Sequence, residues 1–160
     1  MSEPPADMLR RLRPIPTYTG KPATRPHDVV GVGLDGAPRT VSLVEAAAPL
    51  LLLFLAADCD GCRDLWAGLP EIEAGLEGRA RLIVLTKSPG DQDRAVVATL
   101  AGVARERPGI EVVMSGLAFT DYRAAAPFFV VVDPQEVRTE GVAWGVDETL
   151  RAALSGLSRG

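Results

Sequence analysis

The most constraining feature of the chain is a run of apolar residues, Leu50 to Ala57, that ends just before its two cysteines. The run is too apolar to alternate between faces, which is typical of a central strand covered on both sides. Cys59 and Cys62 follow it, and a segment with apolar residues at helical spacing comes next. A Cys-x-x-Cys pair at a strand-to-helix junction is the arrangement of a thiol–disulfide redox site. The junction therefore bears on function as well as on fold.

Further apolar segments predict the rest of a sheet. We expect a β-hairpin from segments 27–34 and 40–43, closed by a turn at Asp35-Gly36. The patterns predict strands at 50–56, 81–86, 110–113, 128–132 and about 137–143. They predict helices at 59–76 with a bend at Pro70, at 93–106 with Val96, Val97, Leu100 and Val103 inward, and at 147–157 with a cap near Asp147. This order indicates an α/β fold, a three-layer α/β/α sandwich on a mixed central sheet.

Composition and length limit the class of protein. A chain of 160 residues with 47% hydrophobic content fits one globular domain, which we place at residues 27–160. Residues 1–26 contain six prolines and predict an extended N-terminal arm. The net charge is −4 and no basic cluster is interleaved with aromatics, so nucleic acid is not an expected partner. The longest apolar stretch has 12 residues, short of the roughly 20 that span a bilayer, and no signal peptide is visible.

The cysteine pair has two alternatives to a redox role. The residues could be incidental core cysteines, or they could form half of a metal site. A tetrahedral zinc site needs four ligands, and only His27, expected on the surface or in the arm, could add to these two. A bridge over so short a loop adds little chain-entropy stabilisation, so chemistry explains the pair better than structural support does.

One further motif has the wrong context for its usual function. Gly31, Gly33 and Gly36 match the spacing of a dinucleotide-binding fingerprint, but a turn and a strand follow where that motif needs a helix. We interpret them as glycines of the hairpin.

Between residues 27 and 157 the chain resembles the TlpA/ResA-type thiol–disulfide oxidoreductases among the thioredoxin-like redoxins. The similarity lies in the strand leading to Cys59 and Cys62, the following helix, and the segment from Asp121 to Asp133. That segment is similar to the tyrosine-containing loop, cis-proline, apolar strand and terminal aspartate of the family. Three positions depart from the family pattern: Asp58 replaces an aromatic, Asp60-Gly61 replaces a proline-containing dipeptide, and Ala126 replaces a larger residue. A fourth departure is Leu53, which stands where thioredoxins have a buried aspartate.

The resemblance implies a thioredoxin-like fold and an enzyme that exchanges disulfides with protein partners and with an electron-donor or acceptor protein. Cys59 is then the attacking thiol and Cys62 the resolving thiol. The resemblance implies no bound cofactor beyond this disulfide, no metal, and a monomer. The missing export signal favours the cytoplasm, whereas the family favours an extracytoplasmic, anchored setting. The alternative function is a thioredoxin-fold binding or assembly module in which the dithiol is regulatory or vestigial.

The same resemblance suggests residues that surround the sulfurs. Ala126, Pro127, Trp66 and Tyr122 are candidate substrate contacts. Three of the four have a simpler alternative: Trp66 as a core residue, Tyr122 as a loop anchor and Pro127 as a strand-entry proline. Trp144 is expected to serve packing.

Charged neighbours are expected to tune the thiol of Cys59. A helix N-terminus and Arg63 would lower its pKa, whereas the carboxylates of Asp58 and Asp60 would raise it. The hypothesis is a Cys59 less acidic than that of strong oxidases, and a protein that works as a reductant or mild exchanger.

Overall fold

The computed structural model describes residues 24–102, 107 and 109–157, and a seven-stranded sheet forms its centre. The strands are β1 (Val29–Gly33), β2 (Pro38–Val41), β3 (Leu50–Phe54), β4 (Arg81–Thr86), β5 (Ile110–Met114), β6 (Phe128–Val132) and β7 (Val137–Val142). The helices are α1 (Arg63–Ala67), α2 (Leu69–Leu76), α3 (Arg94–Leu100), α4 (Gly116–Asp121) and α5 (Glu148–Leu157). The first 23 residues of the predicted arm lie outside this description.

Strand β3 is the centre of the molecule, as its apolar sequence predicts. All its residues are buried, and it pairs in parallel with β4 and antiparallel with β6. Leu51 and Leu53 enter the core under α1, α2, α3 and α5, whereas Leu52 and Phe54 enter the core under α4. Because a separate core lies on each face of the sheet, the three-layer prediction is confirmed.

The sheet has the order β2-β1-β5-β4-β3-β6-β7, and both parallel and antiparallel pairs occur in it. The predicted hairpin is confirmed as β1 and β2, with Val29 opposite Val41. At its turn Gly36 has a φ of +87°, a conformation that glycine adopts without steric cost. The fingerprint-like glycines therefore belong to a hairpin.

The prediction of one bent helix from 59 to 76 is wrong. A 3₁₀ turn at Asp60–Cys62 and the short α1 come first, and the path breaks at Gly68 before α2. Pro70 lies in the first turn of α2, where a missing backbone N–H breaks no helical hydrogen bond. Pro70 therefore starts a helix instead of bending one.

Two other helices differ from prediction. Helix α3 ends at Leu100, Val97 is buried, Leu100 is partly buried, and Val96 is 45% exposed instead of facing inward. Val103 and the predicted helix end near 106 lie outside the described residues. Helix α4 was not predicted; it is short, and Ser115 caps it by accepting a hydrogen bond from the Ala118 amide.

The strand register brings three separate segments to the same end of the sheet. Phe54 at the end of β3 pairs with Phe128 at the start of β6, and Phe128 pairs with Val142 at the end of β7. The cysteines follow β3, Pro127 precedes β6, and the loop to α5 follows β7. All three segments are therefore neighbours at the carboxyl end of β3.

Candidate active site

Cys59 and Cys62 are joined by a disulfide at the carboxyl end of β3, with their Cα atoms 5.2 Å apart. The Cys62 amide donates to the Cys59 carbonyl at 3.1 Å, which closes the 3₁₀ turn between them. Cys59 is partly buried, whereas Cys62 is fully buried beneath it. A partner can therefore approach the pair through the Cys59 sulfur.

The segment before β6 lies beside this turn. Pro127 is buried, and the Ala126–Pro127 peptide bond is cis. A Cβ placed on Gly61 would lie 3.4 Å from Cγ of Pro127, so the proline ring adjoins the residue between the cysteines. Ala126 is partly buried and packs against the same core cluster as Cys59. These two candidate contacts, Ala126 and Pro127, are therefore at the site.

Two side chains hold the backbone that leads to Cys59. The indole Nε1 of Trp66 donates to the Ala56 carbonyl at 3.2 Å, and the Gln92 amide oxygen accepts from the Ala57 amide at 3.4 Å. Trp66 is 2% exposed, which favours its core alternative over substrate contact. Sequence reasoning missed Gln92, which also pairs with the buried Thr86 hydroxyl at 2.9 Å. A polar residue shortly after β4 was its only sequence signal.

Tyr122 lies in the core on the other face of the sheet. It is fully buried and packs against Phe54, and its hydroxyl accepts from the His27 amide at 2.8 Å and donates to the His27 carbonyl. The His27 ring meets it edge-on. This position favours the anchoring alternative for Tyr122, which ties the segment before β1 to the domain.

The buried phenol predicts a pH dependence of stability. Burial, only partly offset by the His27 hydrogen bond, raises the pKa of Tyr122 to about 12. Folding therefore favours the neutral phenol. The contribution of Tyr122 to the unfolding free energy is complete below pH 10 and is lost as the pH rises through the folded-state pKa. We expect wild type to lose about 2 kcal/mol more unfolding free energy than Tyr122→Phe between pH 10 and pH 12. Urea unfolding of both proteins at each pH measures this, and parallel losses would contradict it.

The charged residues around the disulfide are exposed. Asp58, Asp60 and Arg63 all face solvent. The helical start at Cys59 is only a 3₁₀ turn followed by the short α1, because the predicted continuous helix is broken at Gly68. Fewer aligned peptide dipoles point at the sulfur than a continuous helix would supply.

Trp144 was expected to serve packing, but it is not part of either core cluster. Its side chain is 67% exposed in the loop between β7 and α5. A Cβ placed on Gly61 would lie 2.7 Å from both Cε3 and Cζ3 of Trp144, so the indole rests against the backbone between the cysteines. The position of Trp144 could have been inferred from topology. A strand antiparallel to β6 must end at the same end of the sheet as β3, where the cysteines lie.

The described residues contain neither a cluster of metal ligands nor a membrane-spanning helix. Within residues 24–102, 107 and 109–157, no three His, Cys, Asp or Glu side chains are grouped as metal ligands. In the same part of the chain, no helix is long and apolar enough to cross a membrane.

Comparisons with known proteins give matches only at the level of structure. Neither a protein-family model nor a curated protein sequence matches the chain. A secreted disulfide oxidoreductase of Mycobacterium tuberculosis, homologous to Escherichia coli DsbE, is 16% identical with a TM-score of 0.59, over 81% of this chain and 93% of that one. StoA from Bacillus subtilis is 15% identical with a TM-score of 0.61, over 82% and 98%.

A third solved structure carries the family name. A thiol:disulfide interchange protein of the thioredoxin family from Chlorobium tepidum is 14% identical with a TM-score of 0.62, over 88% of this chain and 99% of that one. At such low sequence identities the similarity supports only the backbone fold. The chain has the thioredoxin-like fold.

Proposed function

We propose that the protein is a thiol–disulfide oxidoreductase that exchanges disulfides with protein partners through Cys59 and Cys62. One observation carries this: the two cysteines are disulfide-bonded at the carboxyl end of the central strand β3. Cys59 is partly exposed, whereas Cys62 is buried. A purely structural bridge would not need one of its cysteines to be partly exposed. The solved structures with this fold that are called disulfide oxidoreductases or thiol:disulfide interchange proteins support the same reading.

The proposed cycle conserves electrons and atoms. In the reductive direction the Cys59 thiolate attacks a partner disulfide, one Cys59–partner S–S bond forms, and the partner's other sulfur leaves as a thiolate. The Cys62 thiolate then attacks the Cys59 sulfur and releases the second partner thiol. The partner gains two electrons and the protein becomes the Cys59–Cys62 disulfide. Oxidation of a partner uses the same steps in reverse.

The surroundings of Cys59 favour the reductive direction. Asp58 and Asp60 are exposed carboxylates next to the attacking residue, and the helical start behind it is short. Both features disfavour the thiolate, and a less stable thiolate makes the reduced form give up electrons more readily. Arg63 opposes this as a single nearby cation. We therefore propose a reductant or mild exchanger with no cofactor beyond its own disulfide.

A binding or assembly module remains the second candidate, and Leu53 is the observation that favours it. Leu53 is fully buried where thioredoxins have an aspartate, so that position has no carboxylate to relay protons to the cysteines. In such a module the dithiol would not need to turn over.

Catalytic turnover separates the two candidates. Reduced protein at micromolar concentration, recycled by dithiothreitol, should accelerate the reduction of a protein disulfide such as that of insulin. The double variant Cys59→Ser/Cys62→Ser is the matched control and should give the uncatalysed rate. Equal rates for wild type and double variant would reject the enzyme and leave the module.

For the compartment we propose the extracytoplasmic alternative. The Mycobacterium tuberculosis protein of the same fold is a secreted one, and disulfide chemistry of this kind is common in oxidising compartments. Alkylation of whole cells with a membrane-impermeant thiol reagent tests this, since only an external Cys59 would be labelled after mild reduction.

A further inference from the structure

Trp144 is a solvent-facing aromatic side chain at the disulfide. Among the described residues the large hydrophobic side chains that are exposed are Val30, Val44, Val96, Leu117 and Trp144, and only the last is aromatic. The benzene part of its indole lies against Gly61, and the Pro127 ring adjoins the same glycine. An apolar surface formed by the indole and the partly exposed Ala126 therefore lies beside the turn between the cysteines.

The loop that carries Trp144 is held at two points that follow it. The Trp144 amide donates to Oδ2 of Asp147 at 2.9 Å, and Oδ1 of the same carboxylate caps α5 by accepting from the Leu150 amide at 3.0 Å. Val146 lies against Gly68, the residue between α1 and α2, with its Cγ2 3.0 Å from where a Cβ on Gly68 would lie. A fixed loop presents the indole at little entropic cost when a partner binds.

Acidic side chains border the same surface. The Asp64 carboxylate lies beside the Trp144 loop, with Oδ2 3.9 Å from where a Cβ on Gly145 would lie. Asp58 and Asp60 are exposed on either side of Cys59. In the segment 58–64 these three carboxylates outnumber the single guanidinium of Arg63, so the segment carries a net negative charge.

We propose that Trp144 is a specificity residue of the site. It selects partner segments that carry an apolar or aromatic side chain next to the reacting cysteine and a positive charge close by. The apolar side chain covers the exposed indole, and the cation pairs with Asp58, Asp60 and Asp64. This inference rests on the proposed disulfide exchange and names the class of partner for it.

The test uses peptides whose single cysteine is a mixed disulfide with 2-nitro-5-thiobenzoate. Fully reduced protein supplies both electrons: Cys59 displaces the coloured thiolate, and Cys62 then displaces the peptide thiol. The peptides differ at two places: Phe or Ser next to cysteine, and Lys or Glu as the flanking charge. The same mixed disulfide of free cysteine is the substrate without a peptide. Circular dichroism verifies that each variant is folded.

We expect wild type to react about tenfold faster with the Phe than with the Ser peptide, which corresponds to covering roughly 55 Å² of apolar surface. Trp144→Ala should bring this ratio close to one, whereas Trp144→Phe should keep most of it. Val44→Ala is the matched control, because Val44 is 80% exposed and follows β2, the edge strand opposite β7. At low salt Asp64→Asn should reduce the preference for Lys over Glu without changing the Phe-to-Ser ratio.

Two results would overturn the proposal. One is a Phe-to-Ser ratio that Trp144→Ala leaves unchanged. The other is a faster reaction of Trp144→Ala with every substrate, free cysteine included, since the indole would then only shield the sulfurs. Failure of the proposed function looks different: wild type would release no more colour than Cys59→Ser/Cys62→Ser from any substrate.

Discussion

Cys59→Ser should reduce the turnover of a protein disulfide by roughly a thousandfold or more, to the uncatalysed rate. The reason is geometric: Cys59 is the accessible sulfur of the pair, and Cys62 is fully buried under the site. A hydroxyl cannot replace the thiolate as the attacking group. The insulin-reduction rate with dithiothreitol as electron source measures the effect.

Cys62→Ser should lose turnover as well, but by a different route. Cys59 can still attack, and no thiol remains to resolve the mixed disulfide, which therefore accumulates. Non-reducing electrophoresis and intact mass should show an adduct of the variant with its partner that dithiothreitol removes. Accumulation of the adduct in Cys59→Ser, with none in Cys62→Ser, would reverse the proposed roles of the two cysteines.

Phe54→Ala should lower the unfolding free energy by about 3 to 5 kcal/mol. Phe54 is fully buried, ends the central strand, and contacts the rings of Phe119, Tyr122 and Phe128 at centroid distances of 5.0, 6.0 and 6.2 Å. Truncation removes all three contacts and leaves a cavity between β3 and α4. Urea unfolding followed by far-ultraviolet circular dichroism gives the value.

Matched variants make this stability measurement specific. Phe54→Leu keeps most of the buried volume and should cost less than about 2 kcal/mol. Val44→Ala changes an 80% exposed side chain and should stay within about 0.5 kcal/mol of wild type. A cost for Phe54→Ala below about 1 kcal/mol would show that this core is not packed as described.

The fold was predictable wherever a strand is buried on both faces. Residues 81–86 and 128–132 are strands within the predicted limits, because an unbroken apolar run leaves no alternative that exposes a polar face. Short helices were less predictable. α4 has only six residues and depends on a single serine cap and on packing against β1, neither of which gives a periodic signal.

The site was predictable in its chemistry and less so in its surroundings. Cys59 and Cys62 could be found from spacing and context because both lie within one local segment. Trp144 is 82 residues beyond Cys62 in the sequence and meets Gly61 only through the pairing of β3, β6 and β7. Trp66 and Tyr122 show the opposite case: they are close to the motifs in sequence, but their side chains lie in the two cores.

The central claim is that Cys59 and Cys62 form a reversible redox couple, and the reduction potential of the pair tests it most directly. The protein is equilibrated in glutathione or dithiothreitol buffers, and its free thiols are trapped and counted by mass. We predict one reversible two-electron transition between about −200 and −300 mV, in the range of reductants and mild exchangers. Thiols that never pair, or a transition that does not reverse, would contradict the redox site, and a value near −120 mV would contradict the reductive direction.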